Sequence, residues 1–195
     1  MKLGGLVGIT GTPGTGKKSI SPLAAKALGL RFVSINDLAR QSGLLDSGAD
    51  GEIDVRKLKK VVAKSLHGPS LVYGHLLPQV FGPDSMVKVV VLRTDPTVLK
   101  NRLEERGYAH EKVIANVEAE LIGLVSSEAF ETFGQSRTVE VDTSHTSDSE
   151  AARLVTTAIR EEPTREKRID WTLNYDSARK LRSLLSAGTG KSGFT

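Results

Sequence analysis

The residues with the clearest chemical capacity are Gly11-Thr12-Pro13-Gly14-Thr15-Gly16-Lys17, set between the apolar run Leu6-Val7-Gly8-Ile9 and a helical pattern through Leu23, Ala24 and Ala27. The spacing G-x-x-x-x-G-K in a strand, loop and helix context suits one task, the holding of phosphate. Glycines let backbone N–H groups approach an anion without Cβ atoms in the way, Lys17 adds a mobile cation, and the helix N-terminus adds its dipole. Pro13, Gly14, Thr15, Gly16, Lys17, Lys18 and Ser19 are therefore expected to cradle a nucleoside triphosphate. One position departs from the usual pattern. Where such loops place a Ser or Thr hydroxyl on Mg²⁺, this sequence has Lys18, and the first hydroxyl follows at Ser19.

Such a loop needs a buried strand before it and further strands beside it, and the chain supplies both. Leu3 to Thr10 reads as the first strand, Arg31 to Ile35 as a second, Pro69 to Tyr73 as a third and Val87 to Leu92 as a fourth, continuous enough in β-branched residues to be central in a parallel sheet. Thr138 to Val141 is the fifth. Helices are expected between them. The first contains Pro22, which should kink it; the second is capped by Ser34 or Asn36; a third carries Leu58, Val61, Val62 and Leu66 at helical spacing with lysines on its solvated face. Asp95 as N-cap and Pro96 at the first helical position open a helix that Gly107 ends, with Arg102 and Arg106 one turn apart on one face. A long helix is expected from Glu111 to Phe133, and a closing one from Ala151 to Arg160. Strands alternating with helices behind a phosphate loop describe a doubly wound α/β domain with a five-stranded parallel sheet.

Composition bounds the partners. The chain has 195 residues, 38% of them hydrophobic, enough for one sizeable core. It has no cysteine, which excludes disulfides and cysteine-ligated zinc and fits a reducing compartment, so a cytoplasmic location is expected. No stretch of 18 apolar residues occurs, so no membrane span is expected. Basic and acidic side chains balance at twenty each through residue 162, whereas residues 163–195 hold seven against three. Two regions follow: a domain over residues 1–162 and a basic C-terminal extension over 163–195. Within the extension Gly188 to Ser192 imitates a phosphate loop without its first glycine or its strand, and reads as a flexible terminus.

Several stretches jointly resemble adenylate kinases, and within them the isoenzyme-6 type and its archaeal relatives. They are the Pro-Gly insertion of the phosphate loop, Ser34 to Arg40, Gly74-His75, Val91 to Asp95, Arg102 to Tyr108 and Asn116 to Glu120. The likeness spans about residues 1–160, and Arg168 to Trp171 with Tyr175 resembles the extension of archaeal members. It implies a phosphate-loop NTPase fold of the nucleoside monophosphate kinase type, with an acceptor-binding segment near 34–57 and a short lid near 106–116. It further implies transfer of the γ-phosphate of ATP to AMP with Mg²⁺ as cofactor, an intrinsic ATPase activity, and a part in small ribosomal subunit maturation alongside a ribosomal protein and ribosomal RNA.

On this resemblance Asp37 and Arg40 hold AMP, Lys17, Arg102 and Arg106 act on the donor phosphates, and His75 orients a water, or else is simply a satisfied polar residue after a strand. Each arginine taken alone could equally be a surface ion pair. Two residues depart from the family: Tyr73 stands where an Asp would hold metal water, and Lys18 replaces the hydroxyl, which leaves Ser19 to serve the metal. An alternative remains in which the nucleotide is a conformational switch for ribosome assembly and AMP phosphorylation is incidental. For the extension, docking of Trp171, Tyr175, Leu181, Leu184 and Leu185 as a short helix and a partner surface stand as equal expectations.

Overall fold

The computed structural model describes residues 4–44, 53–161 and 168–186. Leu3, the middle of the 42–54 loop, Pro163 with Arg165-Glu166-Lys167, and the phosphate-loop imitation at 188–192 lie outside the described residues. The elements alternate as the sequence leads one to expect: β1 (Leu6–Thr10), α1 (Lys17–Leu28), β2 (Arg31–Ser34), α2 (Ile35–Gln41), α3 (Val55–Ser65), β3 (Ser70–Tyr73), α4 (Leu77–Val80), β4 (Met86–Arg93), α5 (Pro96–Glu105), α6 (His110–Leu121), α7 (Leu124–Phe133), β5 (Thr138–Asp142), α8 (Asp148–Arg160) and α9 (Ala178–Leu185), with a 3-10 turn at Trp171–Asn174.

All five strands are parallel in the order β2-β3-β1-β4-β5, so β1 lies at the centre with β3 on one side and β4 on the other. The chain runs from β1 to the edge at β2, returns inward to β3, and then crosses over β1 to β4 and β5. Ligands of open α/β sheets bind at the carboxyl ends of the strands where this winding reverses, and the loop 11–17 leaves β1 at that point. Both faces are covered, which is why β4 reads as a nearly unbroken apolar run. Ile20, Ala24, Val155 and Ile159 of α1 and α8 pack on Val7, Ile9, Leu71 and Leu92 on one face. Ile35, Leu58, Leu77 and Phe133 from α2, α3, α4 and α7 cover Val72, Val89 and Val91 on the other. Burial at about 25 cal/mol per Å² of apolar surface makes these two layers the main stabilising term.

A third cluster sits beyond the sheet, where Leu99, Leu103, Val113 and Val117 of α5 and α6 receive Trp171 and Leu184 from the chain's C-terminal segment. Punctuation is as expected at α5: the Asp95 carboxylate accepts from the N–H groups of Thr97 and Val98, Pro96 opens the helix, and Gly107 follows it at a positive φ of 72°. At α2 it is Ser34, accepting from the Asp37 N–H, that caps. The helix α1 contains Pro22 within an unbroken span from Lys17 to Leu28.

The single helix expected over Glu111 to Phe133 is instead two. Gly123, at φ 67°, ends α6 and opens α7, and a Cβ there would stand 3.4 Å from the Arg93 guanidinium. The break has a packing cause: α6 belongs to the outer cluster with α5, whereas Ala129 and Phe133 of α7 belong to the sheet face, and one straight helix cannot serve both. Among the described residues no helix is long and apolar enough to cross a membrane.

Candidate active site

The phosphate loop is built around positions that only glycine can occupy. Gly11 has φ 141°, and a Cβ there would come within 2.4 Å of the Leu92 carbonyl oxygen; at Gly14, φ 98°, it would come within 2.5 Å of Leu99 Cδ1. The loop can therefore lie flat against the end of β4 and the side of α5. Lys17 ties it together: its Nζ donates to the carbonyls of Gly11 at 2.6 Å and Thr12 at 2.8 Å. Burial pushes this ammonium down from 10.5 to about 7, the Glu120 carboxylate opposing the fall and Arg106 adding to it. A polyphosphate arriving here offers Lys17 a charged acceptor in place of two neutral carbonyls.

Two compartments open from the loop, and Gly14, Gly16, Ser19 and Arg106 line both. The larger, about 730 Å³, brings Pro13, Lys17, Lys18, Asp37, Arg40 and His75 to one cavity. The smaller, about 160 Å³, is bounded by Arg102 and the turn between β5 and α8. Every residue expected at the site thus borders one or the other except Thr15. Its buried hydroxyl turns inward to the Thr12 carbonyl at 3.0 Å, and its own carbonyl accepts from Thr143 Oγ1 at 3.1 Å. A groove of about 660 Å³ between α5 and α9 contains none of these residues.

In the larger compartment Arg40 Nη1 lies 3.1 Å from Asp37 Oδ1, with both side chains about half exposed, at 53% and 54%. Such a pair contributes little to stability and leaves the guanidinium available. The Tyr73 ring stacks on Phe32 at 5.1 Å between centroids. His75 is pushed down from 6.5 to about 4, by burial first and then by the charges of Lys17 and Lys112, so its imidazole is neutral at physiological pH. Asn36 also lines this cavity, and its Oδ1 is buried without a hydrogen-bond partner. In the smaller compartment Arg102 Nη2 donates to the carbonyls of Thr143 at 2.9 Å and Ser144 at 3.2 Å, and Thr146 Oγ1 is likewise buried and unpartnered.

Ile20, Thr143, Thr146 and Asp148 line the site without having been singled out from the sequence, and Ser34, Asn36 and Tyr108 line it although the sequence marked them only as cap candidates or as parts of family-like stretches. The available signal for Thr143 and Thr146 was their place just past a strand end, where open α/β sheets keep their ligands. Asn36 was marked only as a candidate helix cap, a place that Ser34 takes at α2.

For a divalent metal, the hydroxyl that borders both compartments is that of Ser19, whose Oγ now donates to the Gly16 carbonyl at 3.1 Å, whereas Thr15 Oγ1, 3.5 Å from Lys17 Nζ, borders neither. Among the described residues no group of three or more His, Cys, Asp or Glu is placed to hold an ion. This donor set fits Mg²⁺ carried in on nucleotide phosphates with water completing its shell, and not a protein-caged metal.

A family model described as an AAA domain matches residues 7–123. Archaeal proteins named "Putative adenylate kinase" are similar over most of their length. That of Thermococcus onnurineus is 36% identical over 174 residues, covering 88% of this chain and 93% of its own. That of Methanothermobacter thermautotrophicus is 37% identical over 156 residues, covering 77% and 87%. Among solved structures, the shikimate kinase from Acinetobacter baumannii superposes with a TM-score of 0.61 at 16% identity, over 81% of this chain and 94% of that one. A gluconokinase from Sinorhizobium meliloti gives 0.52 at 20% identity, over 89% and 97%. At these identities the two structures show the shared fold alone.

Proposed function

Because this chain belongs to the same family of phosphate-loop kinases as those archaeal proteins, we propose that it is an adenylate kinase that moves the γ-phosphate of ATP to AMP, giving two ADP. The observation that carries the reading is the pair of compartments sharing one phosphate loop and Arg106, because transfer between two nucleotides needs both phosphate ends at one cation cluster. ATP is assigned to the smaller compartment and the loop, AMP to the larger.

Little covalent help is required of the protein. Lys17 exchanges the Gly11 and Thr12 carbonyls for donor phosphate. Arg40, turning from Asp37, grips the acceptor phosphate as a fork, and Arg102 and Arg106 meet charge on the donor. Closure of the 106–116 segment, whose Tyr108 already borders the cavity, excludes water. Bound with ATP and touching Ser19, Mg²⁺ would neutralise charge on the phosphates. The neutral His75 can accept a hydrogen bond from water and so orient it, and an intrinsic ATPase activity is part of the proposal on that ground.

A role in small-subunit maturation rests on the family resemblance and on the exposed basic residues Arg168, Arg179, Lys180 and Arg182 near the chain's end. In the alternative reading, ATP hydrolysis drives ribosome assembly as a switch and is independent of AMP. A dinucleoside polyphosphate long enough to span both compartments tests the transfer reading. It should bind one to one and compete with both ATP and AMP; competition with ATP alone would contradict it.

A further inference from the structure

Glu120, near the end of α6, is 1% exposed, and its contacts reach three other parts of the chain. Its Oε2 accepts from Thr12 Oγ1 of the phosphate loop at 2.5 Å. Its Oε1 accepts from Arg93 Nε at 2.8 Å, from the Thr94 N–H at 2.9 Å and from the indole Nε1 of Trp171 at 3.2 Å. Arg93 extends the cluster to Glu140 Oε1 at 2.5 Å and to the Ile169 carbonyl at 3.1 Å, while the Ile169 N–H donates to Glu140 Oε2 at 2.6 Å. One buried carboxylate therefore holds the phosphate loop with one oxygen and the C-terminal segment with the other.

A buried charge depends on every partner it keeps, and in a low-dielectric site the bonds of such a network reinforce one another. Thr12 is also where nucleotide binding acts, because its carbonyl is one that Lys17 must leave to reach phosphate. A loop shifted at Thr12 moves an acceptor that Trp171 shares.

We propose that Glu120 is a positioning residue for the phosphate loop and that the C-terminal segment joins in this task through Trp171, so that docking of the segment and ATP binding form one coupled equilibrium. Coupling of this kind is reciprocal: what tightens one contact tightens the other by the same factor. The inference rests on the phosphate loop being a nucleotide site.

Trp171 is the chain's single tryptophan, so its fluorescence reports on this contact directly. The full-length protein is titrated with ATP by calorimetry and, separately, by tryptophan fluorescence. The wild type should show a saturable fluorescence change at the calorimetric Kd, Thr12→Ser should keep it, and Thr12→Val should lose it. Trp171→Phe retains a ring without the N–H donor and should bind ATP about fivefold more weakly, with Thr12→Val and Trp171→Phe together departing from additivity by about threefold or more. Hydrogen exchange of residues 169–175 should slow when ATP is added to the wild type, a readout that stands even where a variant fails to fold. A wild type that binds ATP with no change in fluorescence or exchange, or with strictly additive variants, overturns the coupling alone. A wild type that binds no ATP overturns the nucleotide-site reading and the coupling with it.

Discussion

The two compartments that meet at the phosphate loop are finished to different degrees. On the side assigned to ATP the space is small, Arg102 is fixed by two backbone carbonyls, and the loop is braced from behind by Glu120. On the side assigned to AMP the space is more than four times larger, about 730 against 160 Å³, and its arginine stands half exposed against a single aspartate. Preorganised charge stabilises a transition state without reorganising when the reaction occurs, whereas exposed charge must first be gathered and desolvated. On the proposed assignment the donor side would be the fixed half of the site and the acceptor side the half completed by substrate and closure. A loss on the first should abolish every activity, and a loss on the second should be confined to AMP.

The largest effect that would break this contrast is expected at Lys17. Lys17→Ala removes the loop cation without a substitute and should lower ADP production by about 10²–10³-fold or more, with AMP present or absent. Near-normal turnover would remove the loop from the mechanism. Arg40→Ala should raise the KM for AMP by about tenfold to a hundredfold, the size of one charge-assisted contact, while AMP-independent ATP hydrolysis stays close to wild type. If both activities fell together in steady-state kinetics, Arg40 would be a structural residue and the acceptor side no more adjustable than the donor side.

A smaller effect follows from the ionisation of Lys17. With its ammonium pushed down to about 7, a growing fraction is neutral above that pH, and bound phosphate favours the charged form. ATP binding above pH 7 should therefore take up a proton, and affinity should fall with rising pH by at most about tenfold per unit, the limit for one group. Calorimetry at pH 8 in two buffers of different ionisation enthalpy measures this uptake; none at pH 8 would contradict it. The smallest expected change is at Lys18, an exposed cation where a hydroxyl is usual. Lys18→Thr should sharpen the dependence on Mg²⁺ or raise turnover by roughly twofold to fivefold, in keeping with the modest value of an exposed charge. An inactive variant would show instead that Lys18 itself neutralises phosphate.

The same contrast runs through what the sequence made legible. The phosphate loop could be located between β1 and α1 because its pattern is local: glycine spacing, a lysine and flanking elements lie within about twenty residues. The strands and the capping at Ser34 and Asp95 could be read for the same reason. The cluster behind the loop could not. Arg93, Glu120 and Glu140 are charged residues at positions where pattern alone argues exposure, and they are buried only because they find one another across 27 and 47 residues of chain. The break at Gly123 was missed for a related reason: apolar periodicity continues through it, and only the separate destinations of α6 and α7 require it. Asn36 and Thr146 bear on the site through unpartnered buried oxygens, which no sequence pattern displays.

Transfer from ATP to AMP is tested most directly by following ATP and ADP together in the full-length protein, with and without each nucleoside monophosphate. With AMP present, two ADP should form for each ATP consumed, inorganic phosphate should stay near background, and other monophosphates should support less turnover. ATP consumption at the same rate whether or not AMP is present, with one phosphate released per ATP, would contradict the kinase reading and leave a hydrolase.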